Sequence, residues 1–383
     1  MGWSVNRPTG LTYHQSQRST KGYTLITPAG GDSVYLIDME GRIVHRWRLT
    51  DVRPAYARLL DDGKLLLSVR PLDLGPPPDR DEFRKNPPPF ERRVQFIGGH
   101  FGELRELDWE GNMVWQYVNN ALHHDYVRLE NGNTLFPEFV ELPEELHKGV
   151  RGGGPRRRGE KLPPLISDDL VEIDRDGNEV RRIHIWKLLD PKKDTIEPMQ
   201  GRWEWTHTNG IDVNEASDIV FSARQCSRVG IIDGESEALR WKYAETALQH
   251  NPTWVGEGNV QIFDNGRVTS RIVEINPEND EVVWSFRGQP AQQFFSGHIS
   301  GAQRLANNSV VVCEGSSGRL FEVTRDGEVV WEWINPFTNL GPRGGAQVTL
   351  YRAHRYLPDH PALAERELDA ARYRKLNELN GLM

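Results

Sequence analysis

Asp108-Trp109-Glu110-Gly111, followed by the alternating run Met113 to Tyr117, decides the fold, because the same pattern returns five more times. The equivalent turns are Asp38-Met39-Glu40-Gly41, Asp174-Arg175-Asp176-Gly177, Asp233-Gly234-Glu235-Ser236, Asn276-Pro277-Glu278-Asn279 and Thr324-Arg325-Asp326-Gly327. Such residues supply the positive backbone angles of tight hairpins, and the runs that follow (Ile43 to Trp47, Val282 to Phe286, Val329 to Trp333) alternate and carry β-branched and aromatic side chains. A second turn of the same unit is legible five times, at Asp62-Gly63, Asn131-Gly132, Ala216-Ser217, Glu257-Gly258 and Asn307-Asn308. The missing sixth copy is informative. The chain enters at Gly22 to Thr27 as a second strand, and Val348 to Leu357 is a spare first strand that completes it.

Six four-stranded units that cannot cover their own faces are best buried by radial stacking. The expected architecture is an all-β, six-bladed β-propeller over residues 22–358, closed by its N- and C-terminal strands. An extension, 1–21, precedes it and a short helical tail, 359–383, follows. An open β-solenoid is the alternative, disfavoured because solenoids need distinct caps whereas these two ends complement one another.

Composition narrows the function classes. The chain has 383 residues, 37% hydrophobic and 27% charged, and only two cysteines, so it can bury a large core without a disulfide framework. No long uncharged apolar run is present, so no membrane association is expected. A net charge of −8 argues against nucleic acid, and the basic run Arg151 to Arg158 reads as a solvated loop. The polar stretch Met1 to Thr20 has no secretory pattern, and Cys226 and Cys313 have no metal-ligand spacing; both point to the cytoplasm. A homo-oligomer is left open.

Strand parity puts the long insertions, Pro71 to Phe101, Pro137 to Ser167 and the link Lys187 to Trp203, on the rim where first strands begin. Histidines gather at that rim. His124 and His250 each stand eight residues before the turn glycines Gly132 and Gly258, and His207 takes the same place with a turn two residues longer. Ser300, with His298 two residues before it, and Arg352 occupy the position in the last two units. Second strands end on the same rim at Arg70, Glu138, Arg224, Asp264 and Glu314. A single histidine at a strand start usually bonds a neighbouring blade, but three of twelve at one repeat position mark a site.

Two chemistries suit converging imidazoles. A neutral histidine can attack an electrophilic sulfur or phosphorus centre while Arg224, Arg352 and other imidazoles stabilise its oxygens. Alternatively His124, His207, His250 and His298 hold a transition metal with an open position. The arginines favour the first, since a cation beside a divalent ion is unfavourable. A non-enzymatic interaction platform is the third reading.

Several stretches resemble the bacterial aryl sulfotransferase propeller family. They are Gly102-Glu103-Leu104 through Leu107 to Asn112, His123-His124-Asp125 with Leu129 to Leu135, His207-Thr208-Asn209, Gln249-His250 with Phe263-Asp264-Asn265-Gly266, Ser300 to Leu305, and Tyr351-Arg352-Ala353. The resemblance implies sulfuryl transfer between phenolic compounds, a small aromatic substrate, no cofactor and a transient sulfohistidine. By position, His250 looks like the nucleophile, His207 and Arg224 like the grip on the sulfuryl oxygens, and His124 like the proton carrier for the phenol oxygen. His123, Asp264, Asn265, His298, Ser300, Glu314 and Arg352 are the expected substrate-binding residues.

Overall fold

The computed structural model describes residues 8–75, 86–154, 164–341 and 345–382. Residues 1–7, the middle of the first insertion and residues 155–158 of the basic run lie outside them. Six antiparallel sheets follow one another along the chain in the strand arrangement of a six-bladed β-propeller. Blade 1 runs Val52–Leu59, Leu65–Pro71, Glu103–Leu107 and Met113–Val118, and blade 2 Val127–Arg128, Thr134–Glu141, Ile166–Ile173 and Glu179–His184. Blade 3 is Thr208–Val213, Ile219–Ala223, Arg228–Ile232 and Leu239–Tyr243; blade 4 is His250–Val255, Asn259–Asp264, Arg271–Asn276 and Glu281–Arg287. Blade 5 comprises Gly301–Arg304, Val310–Glu314, Arg319–Val323 and Val329–Ile334. In blade 6 the C-terminal strand Leu350–Tyr356 pairs with Tyr23–Pro28, followed by Ser33–Ile37 and Ile43–Arg48.

The recurring turn forms for a local reason. Its leading carboxylate accepts the amide four residues on, at 2.8 Å for Asp38 and Arg42, 2.7 Å for Asp108 and Asn112, and 2.9 Å for Asp174 and Asn178. The glycine between them takes a left-handed φ, 77° at Gly41 and 92° at Gly111, which costs a side-chain-bearing residue energy. Second and third strands such as Ile219–Ala223 and Ser33–Ile37 are buried from end to end, which is why they read as near-continuous apolar runs. The fourth strands Met113–Val118 and Glu281–Arg287 are mostly exposed.

The chain divides into two compact units, one of residues 1–69, 104–116 and 298–383, the other of residues 70–103 and 117–297. In the first, Trp331, Trp333, Ile26 and Leu350 share a core, and Trp47, Leu36 and Leu67 another. The extension is not outside the sheet here: Gly10–His14 pairs with Val329–Ile334 and makes blade 5 five-stranded. The tail packs through Asn377, whose buried amide accepts from Ile43 N at 2.8 Å and donates to Ile43 O at 3.1 Å. In the second unit, Trp205, Phe221, Leu170 and Ile211 centre one core, while Phe139, Ile166 and Val94 form a smaller one beneath the first insertion.

Candidate functional site

His124, His207 and the backbone of Arg224 come together in the second unit. His124 and His207, on the entries to the innermost strands of blades 2 and 3, meet edge to face with ring centroids 4.4 Å apart. Each is held through Nδ1. The His207 Nδ1–H donates to the Glu204 carboxylate three residues earlier, and His124 Nδ1 lies 2.7 Å from His123 Nδ1. The Arg224 amide donates to the His207 carbonyl at 3.2 Å, which sets that arginine directly across the ladder. Its guanidinium donates to Gln200 and Gln225, both at 3.2 Å. Burial lowers the Arg224 pKa, against the opposing pull of the Glu204 and Glu197 carboxylates. A largely desolvated guanidinium of this kind is an anion-binding group.

His250, on blade 4, has a different support. Its Nδ1 is 2.7 Å from Asn265 Oδ1, and the amide orientation is fixed because Asn265 Nδ2 donates to the Ser296 carbonyl at 2.7 Å. An acceptor at Nδ1 requires the proton there, so neutral His250 carries its lone pair on Nε2. That is the tautomer a nucleophile needs. The strand of His250 adjoins blade 3 through Asn209, whose amide donates to the Gln249 carbonyl at 2.9 Å.

The ladder corrects the repeat register. His207 stands opposite Arg224, one residue beyond Ala223 at the end of its strand partner, whereas His250 stands opposite Phe263, one residue before Asp264 at the end of its own. The blade 4 counterpart of His207 is Leu248, so the apparent longer turn is a two-residue offset. Both His207 and Leu248 have φ of 54°, and Ile299 follows at 52°, so the left-handed residue belongs to the repeat and not to the chemistry.

Other expectations change too. His123 is fully buried and stacked on Phe139 at 3.7 Å, leaving it no face for a substrate. Asp264 is committed to structure: it accepts Ala247 N at 2.8 Å and bonds Arg271 Nε at 2.6 Å. Asn265 braces His250 and is buried. In the first unit, Glu314 pairs with Arg319 at 3.1 Å, and the Ser300 hydroxyl accepts Gly315 N at 2.9 Å. Arg352 is 3% exposed, its guanidinium 5.1 Å from the Tyr56 and Tyr351 rings, while His298 is exposed. Glu138 bonds Arg182, and Arg70 donates to the Gln95 carbonyl at 2.8 Å. Among the described residues no group of three or more His, Cys, Asp or Glu is arranged to hold a metal ion, so the four-histidine alternative lacks a donor set. Both thiols are buried, and burial raises their pKa.

Three supporting residues were not foreseen. Glu204 has a weak signal, its spacing of three from His207. Asp168 lies one residue past the expected end of an insertion. Gly99, inside the first insertion, accepts the His124 amide at 2.8 Å, and a Cβ there would lie 2.1 Å from His124 Nε2. Its φ of 78° also suits glycine. The insertion end is therefore part of the wall around His124, helped by the bridge between His100 and His123.

A fold of repeated blades with paired buried imidazoles defines a class that can carry more than one chemistry. The arylsulfotransferase (ASST) family model matches residues 12–248, and a second model of the same description matches residues 168–336. The chain belongs to the arylsulfotransferase family. No curated protein matches it significantly. Among solved structures, a protein of unknown function from Bacteroides caccae is 11% identical, with 88% of this chain and 99% of that one covered and a TM-score of 0.53. A virginiamycin B lyase from Staphylococcus aureus is 14% identical, with 85% and 84% covered and a TM-score of 0.45. The first likeness speaks to the fold alone, and the second carries no argument.

Proposed function

We propose that the protein transfers a sulfuryl group from one phenolic sulfate ester to a second phenol, with His250 as the carrier and no nucleotide or metal cofactor. In the first half-reaction the His250 Nε2 lone pair forms a bond to sulfur as the ester S–O bond breaks, and the departing phenolate takes a proton from His124. In the second, an acceptor phenol gives its proton to His124 and its oxygen attacks sulfur, breaking the N–S bond and restoring His250. Arg224 and His207 bind the sulfuryl oxygens, where negative charge is carried through the transition state. The substrate is a small aromatic, and the expected compartment is the cytoplasm.

The observation that carries this reading is the His124–His207 pair, two imidazoles from adjoining blades held 4.4 Å apart beside the backbone of the half-buried Arg224. The Asn265-fixed tautomer of His250 supports its part. The test is ping-pong kinetics with 4-nitrophenyl sulfate as donor and phenol as acceptor. His250→Ala should lower transfer at least about 10³-fold with an unchanged unfolding midpoint, and lose the sulfur label that wild-type enzyme retains from donor alone. Undiminished turnover in the folded variant would reject the assignment.

A further inference from the structure

We infer that Asp168 and His123 are positioning residues for His124, fixing its Nδ1–H so that proton exchange with phenol oxygens occurs at Nε2; this rests on the sulfuryl-transfer reading. Both side chains are completely buried, and neither can meet a substrate. What they do meet is each other. Asp168 Oδ2 accepts Thr206 Oγ1 and Thr208 N, both at 2.6 Å, which immobilises the carboxylate with Oδ1 turned to His123 Nε2 at 3.2 Å. That contact falls short of hydrogen-bond geometry, so the carboxylate acts on His123 Nε2 by its charge at short range rather than by a directed bond. His123 is held flat against Phe139, and its other nitrogen faces His124.

The proton positions follow in sequence. A carboxylate only accepts, so His123 carries its proton on Nε2. Burial lowers the pKa of His123, with Asp168 opposing, so the ring is neutral and its Nδ1 is bare. Two nitrogens 2.7 Å apart share one proton, so the donor is His124 Nδ1–H. In the donor half-reaction His124 begins as the imidazolium and releases the Nε2 proton to the leaving phenolate. In the acceptor half-reaction it is neutral and takes the phenol proton back at Nε2. The Nδ1–H stays on His124 throughout, and the bond to His123 strengthens whenever His124 is charged.

The tautomer is read by imidazole nitrogen NMR on the wild-type protein above the histidine titration range. The expected state of His124 is Nδ1 protonated and Nε2 bare; the opposite tautomer would overturn the inference whether or not the protein is active. The functional arm is Asp168→Asn against donors of rising leaving-group pKa. Expected is a loss within about threefold for 4-nitrophenyl sulfate, which needs little protonation, and about 10²-fold for phenyl sulfate, which needs it fully. An equal loss on both donors points to a structural role and overturns the inference. If wild-type protein transfers no sulfuryl group to any phenol, the proposed function fails, and the NMR result alone upholds or overturns the positioning of His124. The NMR arm also serves if Asp168→Asn does not fold.

Discussion

Both units of the molecule bury charged groups, and two of these clusters are finished differently. In the first unit Glu322 and Arg355 form a fully buried ion pair. Glu322 also accepts Thr20 N at 2.9 Å, Thr20 Oγ1 at 2.9 Å and Ser309 Oγ at 2.6 Å, and the Arg355 guanidinium lies 4.4 Å over the Trp331 ring. Burial lowers the Arg355 pKa to about 10, with Glu322 opposing, so the guanidinium stays charged at neutral pH. In the second unit each site imidazole is braced at Nδ1: Glu204 for His207, His123 for His124, Asn265 for His250. A carboxylate with several donors on it holds strands together. Imidazoles braced at Nδ1 are rigid, and the proposed transfer uses their Nε2.

The largest expected effect breaks the buried ion pair. Glu322→Gln leaves a buried guanidinium without its counter-charge and should cost about 3–5 kcal/mol in urea unfolding, while the molecules that remain folded turn over normally. Glu204→Gln should do the reverse. Its carboxylate is 11% exposed and braces a single ring, so unfolding should shift by less than about 1 kcal/mol while kcat falls about 10²-fold. A large stability loss in Glu204→Gln with unchanged kcat would erase the distinction between the two clusters.

The features legible in the sequence are those set by local backbone demands. The Asp-x-x-Gly turns announced the blades because their carboxylate and glycine satisfy four neighbouring residues. The split closing blade was legible because each terminus lacks what the other supplies. His124 and His207 were legible as a repeat offset. The rest depends on partners distant in sequence. Nothing near His123 shows that Phe139 covers it and Asp168 lies beneath it. The ladders of His207 and His250 each bulge, between Thr208 and Gly210 in blade 3 and between His250 and Thr253 in blade 4, and a count along the chain cannot register which side carries the extra residue.

Asp264 and Glu314 sharpen the same lesson at the smallest scale. Each ends a second strand, the position that suggested a substrate contact, and each is paired across the ladder with the first residue of the third strand, Arg271 or Arg319. The pairing closes a hairpin and commits each carboxylate to a structural partner. It also opposes an anionic substrate less than an unpaired carboxylate would, because the arginine neutralises it. Asp264→Asn keeps an acceptor for Ala247 N and loses the ion pair, so unfolding should shift by about 1 kcal/mol and kcat/KM should stay within about twofold for every phenolic sulfate tried. A KM rise of tenfold or more at constant stability would return Asp264 to the substrate site and show that the carboxylate, though paired, still contacts the ligand.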